Sequence, residues 1–100
     1  EYETEIAEGA EIENIIRALG FHLGMVYEKR RRTWHLQNVE VCLDELPFGL
    51  FMEVEGKMSE IGLIEMLLEL DKLEVEPNTY PKLTFNLGIE KNGVIEARFT

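Results

Sequence analysis

Apolar and polar residues alternate with a period of two along three consecutive stretches, residues 22–36, 39–44 and 50–55. This period is that of a β-strand, whose side chains point in turn to opposite faces of a sheet. Turn-forming residues separate the stretches, first Gln37-Asn38 and then the Leu-Pro-Phe-Gly of residues 46–49. Because such short turns join antiparallel neighbours, the pattern predicts a meander of three antiparallel strands.

Two other stretches, residues 10–19 and 59–73, have apolar residues at helical spacing. Gly20 follows the first stretch where a C-terminal cap belongs, and Ser59 opens the second as an N-terminal cap. The apolar positions are Ile12, Ile15, Ile16 and Leu19 in the first stretch and Ile61, Ile64, Leu67 and Leu68 in the second. We expect two amphipathic helices packed on the sheet.

Strand-like alternation returns at both ends of the chain, in residues 1–6 and 83–99. Asn92-Gly93 interrupts the second of these stretches, and Asn-Gly between alternating runs is a strong hairpin signal. We therefore expect a strand at the beginning of the chain and a hairpin at its end. Together the patterns predict an α+β fold in a single domain spanning residues 1–100.

The composition fits one globular domain and narrows the choice of partner. Of 100 residues, 45% are hydrophobic, and 20 acidic residues against 10 basic ones give a net charge of -10. This acidity argues against nucleic acid or an anionic membrane, because both bind basic surfaces. No stretch is long and apolar enough for a membrane span, and the single Cys42 has no disulfide partner. We expect a cytoplasmic protein.

The first candidate functional residues are two cations on one face of the predicted strand 22–36. Lys29 and Arg31 lie about 7 Å apart by strand geometry, a spacing that suits two adjacent phosphoryl groups. Arg30 and Arg32 point to the other face. The alternative interpretation is a solvated strand whose cations protect a sheet edge.

Two carboxylates share a face of the predicted strand 50–55 in the same way. Glu53 and Glu55 could jointly hold a hard divalent cation through oxygen, and Asp44 could add a third carboxylate. Phe51 lies on the same side, which indicates a partly polar interior. The alternatives are the outer face of an amphipathic strand and, for Asp44, a turn-forming role.

The motifs, in their order along the chain, resemble those of the CYTH family. This family joins class IV adenylyl cyclases and thiamine triphosphatases and is also called the triphosphate tunnel metalloenzymes. The matching segments are EYE, ALGF, VYEKRRRTW, VCLDELPFGLFMEVEG and NTYPKL, over roughly residues 1 to 83. The combination of K-x-R, then L-D, then F-G-x-x-x-E-x-E carries the resemblance.

The resemblance implies that the meander is part of an antiparallel tunnel that holds a triphosphate and Mg²⁺ or Mn²⁺. Lys29 and Arg31 match the residues that contact phosphates. The positions that match acids near the metal are Glu1, Asp44, Glu53 and Glu55.

The chain departs from the family at its beginning, because no strand bearing E-x-E-x-K precedes Glu1. We expect the N-terminal strands of the tunnel to be lacking, so that this chain alone is inactive or closes its sheet edges against another chain, as in a homodimer.

The leading hypothesis is metal-dependent hydrolysis of a triphosphate, whether inorganic triphosphate, thiamine triphosphate or a nucleoside triphosphate. One alternative is a class IV adenylyl cyclase that makes cyclic AMP from ATP. Another is a domain that binds polyphosphate or nucleotide without turnover, and the last is a structural or regulatory sheet domain.

Overall fold

The alternating and helical stretches become six strands, three α-helices and one 3₁₀ helix in the computed structural model, which describes residues 1–100. The helices are α1 (Gly9–Ala18), α2 (Met58–Leu67), α3 (Tyr80–Leu87) and the 3₁₀ helix Leu70–Lys72. The strands are β1 (Met25–Tyr27), β2 (Arg30–Leu36), β3 (Val39–Leu46), β4 (Gly49–Glu55), β5 (Ile89–Lys91) and β6 (Val94–Ala97). The predicted α+β class is confirmed.

The predicted meander is formed by β2, β3 and β4, which pair antiparallel in that order. Its turns are the predicted ones, and Gln37 adopts a positive φ of 56° in the first. The register places Asp44 of β3 opposite Arg31 on one side and Phe51 on the other. It also places Cys42 opposite Glu53, so the charged residues of three strands share one face.

The predicted long strand over residues 22–36 is wrong, because it divides at Glu28 and Lys29 between two separate sheets. β1 pairs parallel with β6, whereas β2 belongs to the meander. The residue alternation continues through the break, and the two halves differ in their partner strand. β5 and β6 form the predicted hairpin, in which Asn92 and Gly93 adopt positive φ angles of 51° and 81°.

The alternating residues 83–87 form α3 instead of the predicted strand. The backbone N–H of Lys82 donates to Thr79 Oγ1 at 3.3 Å, and Pro81 lies in the first turn, where it is well tolerated. This helix start signal outweighs the strand-like alternation of residues 83–87. The predicted start of α2 is also wrong, because Lys57 rather than Ser59 occupies the N-cap position.

The beginning of the chain forms no strand, so the strand predicted over residues 1–6 is wrong, and these residues are exposed. α1 forms as predicted but contains no buried residue. The helices with buried residues are α2 and α3.

Two small clusters hold the elements together. Ile64 of α2 packs against Val39 and Val41 of the meander, with Val54 beside them. Leu83 and Thr84 of α3 are buried at the second sheet, together with Ala97 of β6. Because Val39 and Val41 lie on the opposite face of β3 from Asp44, the charged face of the meander is the face away from α2.

No helix has the length and apolar character needed to cross a membrane.

Candidate functional site

The charged face of the meander contains a carboxylate that is completely buried. Asp44 lies in the middle of the sheet on β3 and has a side-chain exposure of 0%. A buried carboxylate is costly unless donors satisfy its oxygens, so its neighbours decide whether it is tolerated.

Three donors satisfy Asp44. Arg31 binds it as a fork, with Nε donating to Oδ1 at 2.6 Å and Nη2 donating to Oδ2 at 2.6 Å. The hydroxyl of Tyr80 donates to Oδ2 at 2.6 Å. Bidentate, charge-assisted contacts of this kind are the strong ones among protein hydrogen bonds.

Arg31 also joins Asp44 to a second carboxylate. Its Nη2 donates to Glu53 Oε2 at 2.8 Å. Glu53 is partly exposed and Arg31 is about one third exposed, at 33%, so this side of the cluster faces solvent. The site therefore has a buried base at Asp44 and an open edge at Arg31 and Glu53.

The protonation states follow from these contacts. The hydrogen bond from Arg31 holds the pKa of Asp44 below its ordinary value of 3.8. The bond to Asp44 raises the pKa of Arg31. Burial first, and then the hydrogen bond to Asp44, raises the pKa of Tyr80 above its ordinary value of 10.0. At neutral pH the cluster is a carboxylate, a guanidinium and a neutral phenol.

Tyr80 is also the centre of an aromatic group that borders the cluster. Its ring centroid lies 5.5 Å from that of Phe51 and 6.3 Å from that of Tyr27. Lys29, in the break between β1 and β2, places Nζ 5.5 Å from the Tyr80 centroid, which is within cation–π range. The two predicted phosphate contacts, Lys29 and Arg31, thus lie around one phenol.

Neither the strand alternation nor the helical spacing of the chain assigns a function to Tyr80. Tyr80 and Pro81 are the first two residues of α3. The available signal was the NTYPKL segment itself, since a tyrosine at a helix start has its hydroxyl free for a partner elsewhere. That partner, Asp44, is 36 residues away in sequence.

The four predicted metal ligands are not equally placed. Asp44 and Glu53 meet at Arg31. Glu55 is exposed at the end of β4, opposite Glu40, and Glu1 is exposed in the irregular N-terminal segment. The structure contains no group of three or more His, Cys, Asp or Glu side chains arranged to hold a metal ion.

Arg30 lies on the opposite face of the meander from Arg31, as expected. Its Nη1 donates to Glu45 Oε1 at 3.3 Å, and its Cζ lies 4.1 Å from the ring centroid of Phe99. The side chains of Arg30 and Glu45 are 65% and 49% exposed. This neighbouring arginine is therefore a matched control for any function of Arg31.

Comparison with protein families identifies a match. The family model described as the CYTH domain matches residues 1–82 of the chain. The matched region includes every residue of the cluster described above. No curated protein and no solved structure matches the chain.

Proposed function

The chain belongs to the CYTH domain family, and from this premise we propose that it binds a triphosphate and hydrolyses it with the help of a divalent metal ion. The family is part of the triphosphate tunnel metalloenzyme superfamily, whose members bind triphosphates and generally depend on divalent metals. Hydrolysis, the substrate and the metal are our proposal for this chain.

The observation that supports the proposal most is the position of Arg31. Its fork is held by Asp44 and Glu53, its side chain is partly exposed, and Lys29 lies at the same aromatic group. Two neighbouring cations on a partly enclosed face can neutralise the charge of adjacent phosphoryl groups. In this role they stabilise the charge that develops on the phosphoryl oxygens during transfer.

The donor chemistry of Glu53 and Glu55 fits the implied metal. Mg²⁺ prefers oxygen ligands and commonly takes one or two carboxylates together with substrate phosphates. Both residues lie on one face of β4, and Arg31 occupies only Oε2 of Glu53. We therefore assign Glu53 and Glu55 to hold Mg²⁺ or Mn²⁺. When bound, such an ion supplies positive charge that polarises a phosphoryl oxygen.

Asp44 and Glu1, the other two predicted metal ligands, are assigned differently. The oxygens of Asp44 accept three hydrogen bonds, so we propose that Asp44 acts on the site by holding Arg31 against Glu53. A role of Glu1 at the metal stays a prediction from the family resemblance.

The test is phosphate release from inorganic triphosphate by the full-length protein that carries this chain, with Mg²⁺ and with Mn²⁺. Arg31→Ala and Glu53→Gln should each lower the rate about a hundredfold, as expected for losing one charge-stabilising contact. Arg30→Ala, on the opposite face, should leave it unchanged. Equal rates for the wild type and both site variants would refute the proposal.

A second candidate function is triphosphate binding without turnover. It is favoured by the arrangement of the acids, because no three of them form a group that could hold a metal ion. Isothermal titration calorimetry that detects triphosphate binding, together with no release of phosphate, would support this candidate. Cyclic AMP and pyrophosphate as products from ATP would instead indicate the cyclase chemistry of the family.

A further inference from the structure

Tyr80 contacts Lys29 and the carboxylate that binds Arg31 through different parts of one side chain. Its ring lies near Nζ of Lys29, at 5.5 Å from the centroid. Its hydroxyl donates to Oδ2 of Asp44, the same oxygen that accepts from Nη2 of Arg31. Tyr80 thus connects directly to Lys29 and, through Asp44, to Arg31.

The hydrogen bonds of Arg31 leave one defined edge for a ligand. A guanidinium has five N–H donors. The Nε donor and the two Nη2 donors are used by Asp44 and Glu53, whereas Nη1 makes no hydrogen bond within the chain. The partly exposed Arg31 therefore offers the two donors of Nη1 to an incoming anion.

The orientation of that edge depends on the Asp44 carboxylate, because Asp44 holds the other edge of the guanidinium with both oxygens. The Tyr80 hydroxyl is the one contact of this carboxylate that does not come from Arg31. Tyr80 itself is fixed at the first residue of α3, a helix anchored by the buried Leu83 and Thr84 and capped by Thr79. The hydroxyl bond thus ties the site to an element outside the meander.

We propose that Tyr80 is a positioning residue of the triphosphate site. Its hydroxyl holds Asp44 so that Nη1 of Arg31 faces the substrate, and its ring orients Lys29 by a cation–π contact. This inference rests on the proposed function. It adds a residue that acts through others and that makes no bond to the reacting atoms.

The experiment measures the Kd of inorganic triphosphate with Mg²⁺ by isothermal titration calorimetry on the full-length protein. Tyr80→Phe removes only the hydroxyl and should weaken binding about tenfold, because an oriented contact to a charged group is lost. Tyr27→Phe is the matched control, since the Tyr27 hydroxyl makes no hydrogen bond and its ring packs beside Tyr80. It should change the Kd by less than about twofold. Equal affinities of Tyr80→Phe and wild type would overturn the proposal.

A double-mutant cycle tests whether the hydroxyl acts through Arg31. Arg31→Lys keeps the charge but loses the fork, so Tyr80→Phe added to it should weaken binding by less than about twofold. A full tenfold loss in that background would show that the hydroxyl acts elsewhere and would overturn the inference.

A spectroscopic measurement separates this inference from the proposed function. The ¹H–¹⁵N signal of Arg31 Nε reports the bond to Asp44 without any substrate. Tyr80→Phe should broaden or shift that signal, and Tyr27→Phe should not. Absence of triphosphate binding in the wild type would refute the proposed function, whereas an unchanged Nε signal in Tyr80→Phe would refute the positioning role.

Discussion

The two faces of the meander each contain a position whose burial is the reverse of what its residue type would indicate. On the charged face Asp44 has no exposed surface, and Cys42 and Leu46 beside it on β3 are buried too. On the other face Val39 and Val41 are buried under α2, but Leu50 is 72% exposed. The most completely buried position in the sheet thus belongs to a carboxylate, and a large apolar side chain lies in solvent.

The difference shows that burial in this sheet depends on which element lies over each position. The first residue of α3 covers the charged face, whereas α2 covers only the end of the other face that carries Val39 and Val41. A buried carboxylate requires donors in defined directions, and an apolar contact does not. We therefore expect the charged face to tolerate substitution less well than the apolar one.

The largest expected effect comes from breaking the charged face at its centre. Asp44→Ala leaves the Arg31 guanidinium and the Tyr80 hydroxyl without their shared acceptor. Removing one partner of a buried ion pair typically costs about 3–5 kcal/mol of unfolding free energy, and the partial exposure of Arg31 places the expectation at the lower end. Urea denaturation followed by circular dichroism measures the change.

The control for this variant is Glu45→Ala, which breaks the exposed pair with Arg30 on the opposite face. Solvent screens that pair, so the expected change is below about 1 kcal/mol. If the two variants were equally stable, the charged face would have no special energetic role.

A somewhat smaller effect is expected on the apolar face. Ile64→Ala creates a cavity against Val39 and Val41 and should cost about 2 kcal/mol of unfolding free energy, at the lower end for such changes because the cluster is small. Leu63→Ala, one residue earlier on the exposed side of α2, should cost less than about 0.5 kcal/mol. A loss for Ile64→Ala above that for Asp44→Ala would reverse the comparison of the two faces.

The smallest of these effects is the loss of unfolding free energy at acid pH that comes from Asp44 on the charged face. Because the folded state lowers the pKa of Asp44, the stabilisation from its ion pair is complete above the ordinary value of 3.8 and is lost as the pH falls through the folded value. Unfolding free energies measured at pH 7, 5, 4 and 3 should therefore decline most below pH 4.

The comparison variant for this decline is Asp44→Asn, which has no carboxylate to protonate at that position. Its unfolding free energy should fall less steeply between pH 4 and pH 3 than that of the wild type. Parallel profiles would mean that other acidic groups account for the acid dependence.

Most of the meander and the final hairpin could be predicted because their signals are local. Alternation and short turns specify β3 and β4, and Asn92-Gly93 specifies the β5–β6 turn. The errors occurred where a local pattern fitted two structures. Residues 83–87 alternate like a strand but follow a helix cap at Thr79, and residues 22–36 alternate through a change of sheet.

The candidate site was predictable to the same extent. Strand alternation predicts that Lys29 and Arg31 share one face of their strand and that Glu53 and Glu55 share one face of theirs. The register in the structure then brings Arg31, Asp44 and Glu53 together. Parity could not indicate that Arg31 would bind both acids or that Tyr80 would complete the cluster. Those contacts join residues 13, 22 and 36 positions apart.

By itself, the sequence determined the α+β class and which charged residues share a strand face, because side-chain direction along a strand and turn chemistry are local properties. It also determined the family, through motifs that resemble those of the CYTH domain. The tertiary structure alone decided that Asp44 is buried and which groups satisfy it. That outcome required α3 to dock its first residue, Tyr80, over the meander, and docking depends on the shape and charge of surfaces formed by distant parts of the chain.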